Sequence, residues 1–139
     1  MSESNVGTQE TGGLNRGFTL IELMVAVTIV AIVATIAYPS YTAQMVKSRR
    51  SSAEAVLLDI AQRQQQYLLD VRGYAPDVTT LNATVPSSVS ANYTIAIVPA
   101  AGPPPTFTAT ATPIAGTAQA GDVTLTINSA GVKTPAGVW

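Results

Sequence analysis

The chain has neither cysteine nor histidine. Their absence excludes disulfides, thiolate nucleophiles, Cys/His metal sites and the commonest general base. Charge is equally sparse. Only 11% of the residues are charged and the formal net charge is −1, so no bulk electrostatic attraction draws the chain to nucleic acid or acidic surfaces. Any such binding must come from a local patch. The eight carboxylates are scattered, no nucleophile stands at an informative spacing from a base, and no glycine-rich phosphate loop occurs. The sequence therefore reads as a non-enzyme that calls for no cofactor and no metal. Asp59, Asp70 and Asp77 read as solvated charges. Asp122, beside Gly121, is a lone carboxylate and weak support for a calcium loop.

With 139 residues, the chain has room for one small domain and an appendage. Its apolar content is concentrated in one run. Residues 18–38 read FTLIELMVAVTIVAIVATIAY, with Glu22 as the sole ionisable group. As a helix this run spans roughly 30 Å, the thickness of a bilayer's hydrocarbon core. Residues 1–17 are polar and glycine-rich, without helical or strand periodicity. They also lack the pattern of an ordinary secretory signal, whose cleavage site follows its apolar core. A carboxylate this far inside an apolar helix costs a few kcal/mol unless it is paired, protonated or able to reach the interface.

The stretch Arg16-Gly17-Phe18-Thr19-Leu20-Ile21-Glu22-Leu23-Met24 resembles the processing signal of type IV pilins and pseudopilins. The resemblance implies that prepilin peptidase cuts between Gly17 and Phe18 and that the new amino group of Phe18 is methylated. It implies further that Glu22 pairs with the Phe18 amino terminus of a neighbouring subunit, which would neutralise the buried acid and set the stagger between helices. Residues 1–17 would then be the cleaved leader and residues 18–38 the transmembrane and assembly helix. The leader departs from the family in carrying Glu3 and Glu10 against Arg16 alone. Read by basic flanks, Lys47, Arg49 and Arg50 would lie on the cytoplasmic side, whereas the resemblance implies the opposite orientation.

Helical periodicity continues beyond the run. Ala53, Val56, Leu57, Ile60, Gln64, Tyr67, Leu68 and Val71 recur at spacings of three and four, opposite Arg49, Arg50, Glu54, Gln62, Arg63 and Gln66. Residues 39–73 are thus expected to form an amphipathic helix stopped at Gly73. Pro39 removes a backbone hydrogen bond inside it, which predicts a hinge, as a kink or local unwinding near residues 38–41.

The period then changes from helical to two. Residues 93–98, 106–112 and 123–127 alternate as half-buried strands do. Residues 100–105 and 128–131 read as connections, the second leading to a short last strand at 132–134. The fold expected is α+β: a long N-terminal helix packed on a small antiparallel sheet of three or four strands, with residues 74–139 forming the αβ-loop and sheet.

Tyr38-Pro39-Ser40-Tyr41, Lys47-Ser48-Arg49-Arg50, Gly73-Tyr74, Lys133-Thr134 and Trp139 look particularly like PilE-type minor pilins. In that family a cysteine pair commonly clamps the last region; here Val138 stands next to the final tryptophan. Without the clamp the sheet domain is expected to be only modestly stable. The resemblance implies a structural pilus subunit held in the bacterial inner membrane before assembly and in an extracellular filament afterwards. Its partners would be other pilins, the prepilin peptidase and the inner-membrane assembly machinery. Alternatives are a type II secretion pseudopilin and a pilus-displayed adhesive or DNA-binding pilin. Lys47, Arg49 and Arg50, joined by Arg63, could contact DNA phosphates, although such clusters near a membrane segment more often meet lipid headgroups or neighbouring subunits.

Overall fold

The structure, a computed structural model, describes residues 17–139. Residues 1–16, which carry most of the expected leader and its Arg16, lie outside the described part. Helix α1 runs Leu20–Val71 and short helix α2 Ser87–Ser90. Strands β1 (Tyr93–Ala100), β2 (Thr106–Pro113), β3 (Leu125–Asn128) and β4 (Lys133–Thr134) form one antiparallel sheet in the order of the chain. The chain divides into two compact units at the Tyr38/Pro39 boundary.

In the first unit, α1 starts where Thr19 Oγ1 accepts the backbone N–H of Glu22 at 3.2 Å, a side-chain cap for the first helical turn. The apolar side chains that follow are exposed all round, among them Leu20, Val27, Val30 and Ile36. A helix with no polar face is one that solvates itself in lipid or against other helices. Its threonines fit that role: Thr28 Oγ1 donates to the Met24 carbonyl at 2.8 Å and Thr35 Oγ1 to the Ile32 carbonyl at 2.7 Å. Both hydroxyls are satisfied within the helix itself.

Local unwinding at Pro39 does not occur, because α1 is helical on both sides of the proline. Proline removes a single i to i−4 bond, and the many intact bonds of a long helix hold the backbone through it. The helix also ends two residues before the glycine expected to stop it. Arg72, with φ 58°, takes the left-handed position, and its N–H bonds the Leu68 carbonyl at 2.9 Å.

In the second unit, Ala53, Val56, Leu57, Ile60 and Gln64 are the buried stripe of α1. They share one core with Tyr93 and Ile97 of β1, Phe107, Ala109 and Ala111 of β2, and Leu125 and Ile127 of β3. The alternation read from the sequence is the observed one: Thr106, Thr108 and Thr112 face outward while Phe107, Ala109 and Ala111 are buried. Register is unambiguous, with Thr94 opposite Thr112, Val98 opposite Thr108, and Ala111 opposite Leu125. Asn128 closes the β3–β4 turn by accepting the N–H groups of Ala130 and Val132 at 3.0 and 2.9 Å, and Gly131 supplies the positive φ.

The loop after α1 is tied down by Gln64. Fully buried, it donates to the Ala75 carbonyl at 2.8 Å and accepts the Ala75 N–H at 2.9 Å, imitating a strand partner. Tyr74 packs edge-on against Phe107, with centroids 4.7 Å apart.

Candidate functional site

Gly17 and Phe18 precede the first helical turn in exposed, irregular backbone. A peptide bond in such a setting can enter a protease cleft, which one inside a helix cannot. Gly17, Phe18, Thr19 and Glu22 line one recess of about 450 Å³, so the residues singled out around the processing point are neighbours in space. Glu22 lies in the first turn, where the helix dipole favours a carboxylate, and it has no ion pair among the described residues.

The basic cluster behaves differently from its reading as three equivalent contacts. Lys47 is exposed and Arg49 half-buried. Arg50 is turned toward the sheet: its Nε donates to Asp122 Oδ2 at 3.1 Å and its Nη2 to Asp122 Oδ1. Asp122 is almost entirely buried, its side chain 1% exposed against 24% for Arg50. Tyr93 Oη and Gln119 Nε2 also donate to Asp122 Oδ2, and Gln119 Nε2 reaches the Val46 carbonyl of α1 at 3.0 Å. Two of Arg50's donors are thus tied to Asp122 rather than offered to DNA or lipid. Asp122, weighed above as a calcium ligand, already has its oxygens saturated by a guanidinium, a phenol and an amide.

Burial alone would push the Asp122 carboxyl up, but the hydrogen bonds from Arg50, Tyr93, the Val123 backbone and Gln119 outweigh it and hold its pKa at about 2. The Tyr93 phenol is pushed up by burial and by the neighbouring carboxylate, so it stays neutral and donating. The cluster is a polar clamp between α1, β1 and the segment before β3. Gln119 and Tyr93 drew no attention in the sequence, where a lone Gln and a strand Tyr carry no signal of a shared partner.

Arg63 faces elsewhere. It pairs with Asp59 one turn earlier at 2.8 Å and donates to the Asn82 carbonyl at 3.0 Å, so it braces the loop after α1.

A family profile described as "Type IV minor pilin ComP, DNA uptake sequence receptor" matches residues 39–125. The chain belongs to this family of type IV pilins. A second profile, the prokaryotic N-terminal methylation motif, matches residues 14–38 and so encloses Gly17, Phe18 and Glu22. Among curated proteins, this pilin is 33% identical over 85 residues to the type IV wide pilus major component PilA4 of Thermus thermophilus, covering 61% of this chain and 65% of that protein. It is 37% identical over 82 residues to the type IV major pilin protein PilE of Neisseria gonorrhoeae, covering 58% and 48%. The chain thus spans about half to two thirds of the length of the curated relatives it matches. A solved type IV pilin from Shewanella oneidensis superposes with a TM-score of 0.53 at 22% identity, covering 68% of this chain and 97% of that one; it shares the fold. Pilins are structural rather than enzymatic proteins, and the apolar helix with its methylation motif fits a membrane-anchored pilus component.

Proposed function

We propose that this chain is a minor structural subunit of a type IV pilus. Prepilin peptidase cuts it between Gly17 and Phe18, Phe18 is methylated, and the apolar part of α1 enters a helical filament with other pilins. Before assembly the same helix holds the subunit in the bacterial inner membrane, where the assembly machinery takes it up. The observation that carries this reading is Glu22, the one charged group of the apolar run 18–38, whose large side chains are exposed. Processing next to it creates an amine on each neighbour, and a staggered pair of helices brings amine and carboxylate together. Such contacts join different faces of identical subunits and propagate into a filament. Mass spectrometry of the protein from cells is expected to find a mature chain beginning with methylated Phe18. A Glu22→Ala variant is expected to be processed but excluded from fibres. Recovery of the chain with residues 1–17 still attached would overturn the reading. Deletion that blocks protein export while leaving surface fibres intact would reassign it to a secretion pseudopilin.

A second reading, capture of DNA during uptake, is supported by the description of the matching family. Because Arg50 is tied to Asp122, the phosphate contacts on this part of α1 fall to Lys47 and Arg49. Salt-sensitive DNA binding lost in a Lys47→Ala/Arg49→Ala variant supports this role. Binding unchanged in that variant removes these two residues from it.

A further inference from the structure

Strand β1 is an end strand of the sheet, so one of its edges has no neighbouring strand. The Ile114 N–H donates to the Asn92 carbonyl at 2.9 Å, in continuation of the register that sets Thr94 opposite Thr112. The even-numbered residues of β1 therefore bond to β2, and the odd-numbered ones turn their N–H and C=O groups toward the open edge. At its start this edge is closed by the burial of Tyr93 next to α2, and at its end by Pro99, which has no N–H to offer. Between these limits the N–H and C=O groups of Ile95 and Ile97 have no backbone partner among the described residues. Such groups are met either by water or by another chain.

The two edges of the sheet differ in what guards them. β4, at the far edge, is two residues long and carries Lys133. β1 is eight residues long, and residues 78–121 contain no Asp, Glu, Lys or Arg. Shortness and charge are what ordinarily keep a sheet edge from pairing with another chain, and β1 has neither. We propose that β1 pairs antiparallel with β1 of a second copy of this chain, about a two-fold axis at Ala96. The free groups lie symmetrically about Ala96, so the axis sets Ile95 opposite Ile97 of the other copy, and each N–H meets a C=O in four hydrogen bonds. That symmetry selects a second copy over an unrelated extended segment. A shift of two residues either way sets Ile95 opposite Pro99, or Ile97 opposite the buried Tyr93. On the outer face Ala96 meets its equivalent and Thr94 meets Val98, all exposed and uncharged, so nothing there opposes contact. A two-fold contact closes on two copies, which separates it from the propagating contacts of the apolar run.

Because the chain has no cysteine, an introduced one is the only thiol. In this register position 96 stands about 4.5 Å from its equivalent, within disulfide reach, whereas positions 94 and 98 each stand four residues, about 13 Å, from theirs. Full-length Ala96→Cys, Thr94→Cys and Val98→Cys proteins in detergent are mildly oxidised and resolved by non-reducing electrophoresis. Ala96→Cys is expected to form a covalent dimer by itself, and Thr94→Cys and Val98→Cys only when mixed with each other. In sedimentation without oxidant, the unsubstituted protein is expected to dimerise and Ala96→Lys, which sets two cations face to face, to remain monomeric. Mixing Ala96→Lys with Ala96→Glu is expected to restore the dimer, which a folding defect would not allow. All three positions are exposed, and unchanged circular dichroism verifies folding. The proposal is overturned by the lack of a crosslink at position 96, by equal crosslinking at all three positions, or by a dimer that Ala96→Lys leaves intact. The pairing does not depend on processing at Gly17 or on filament entry.

Discussion

Arg50 on α1 and Asp122 ahead of β3 are 72 positions apart in sequence and joined by two hydrogen bonds. Around them converge Tyr93 of β1 and Gln119, whose amide also reaches the helix backbone at Val46. The pair ties the segment ahead of β3 to α1 by charge and hydrogen bonds.

Removing one partner of this pair should therefore be costly. Asp122→Asn leaves the guanidinium without its anion. Because Arg50 is partly solvated, the expected loss is about 2–4 kcal/mol, below that of a fully buried pair. The double replacement Arg50→Met/Asp122→Leu strands no charge but leaves the buried Tyr93 hydroxyl and Gln119 amide without their acceptor, so it should recover only part of the loss. Urea denaturation of the 39–139 unit, followed by circular dichroism, measures both.

The same carboxylate sets the acid limit. Its folded pKa of about 2 lies below the ordinary carboxylate value, so its contribution is present above about pH 4 and is lost as pH falls toward 2. Tyr93 works with the opposite sense. Its phenol is raised, so its contribution is complete below about pH 10 and is lost as pH rises beyond that. Stability measured against pH should show both edges. Asp122→Asn should remove the acid edge at this site, and Tyr93→Phe the alkaline one.

Gln64→Leu keeps the volume of a core side chain but strips the Ala75 N–H and carbonyl of their partners. Two buried backbone groups left unpaired cost about 2–4 kcal/mol. Amide exchange should show the loop after α1 opening before the sheet does.

Arg72→Gly should stabilise the domain by about 0.5–1 kcal/mol, because Arg72 occupies a left-handed backbone position that a side chain disfavours. Gly73→Ala should be nearly silent, as an added methyl there meets nothing within 4 Å. A comparison of melting temperatures separates the two sites.

Without disulfides the 39–139 unit should remain modestly stable despite the polar clamp. A thermal midpoint above about 90 °C would place it among hyperstable proteins and contradict this expectation.

Periodicity is local, and whatever periodicity governs was legible in advance. The 3.6-residue repeat of Ala53, Val56, Leu57, Ile60 and Gln64 marked the buried face of α1. The alternation of Phe107, Ala109 and Ala111 with threonine marked the inner face of β2. The methylation motif over residues 14–38 was readable for a similar reason: it is defined by immediate neighbours along the chain. Local pattern placed element ends less well, because those depend on contacts beyond the immediate neighbours. α1 ends at Val71, with Arg72 rather than Gly73 in the left-handed position, and β3 starts at Leu125 although the two-residue alternation begins at Val123. The sequence by itself determined the apolar helix, the strands and the family. Only the tertiary structure decided that Arg50 belongs to Asp122, Tyr93 and Gln119, since a charge's partner is set by which distant segments the packed core brings within hydrogen-bonding distance.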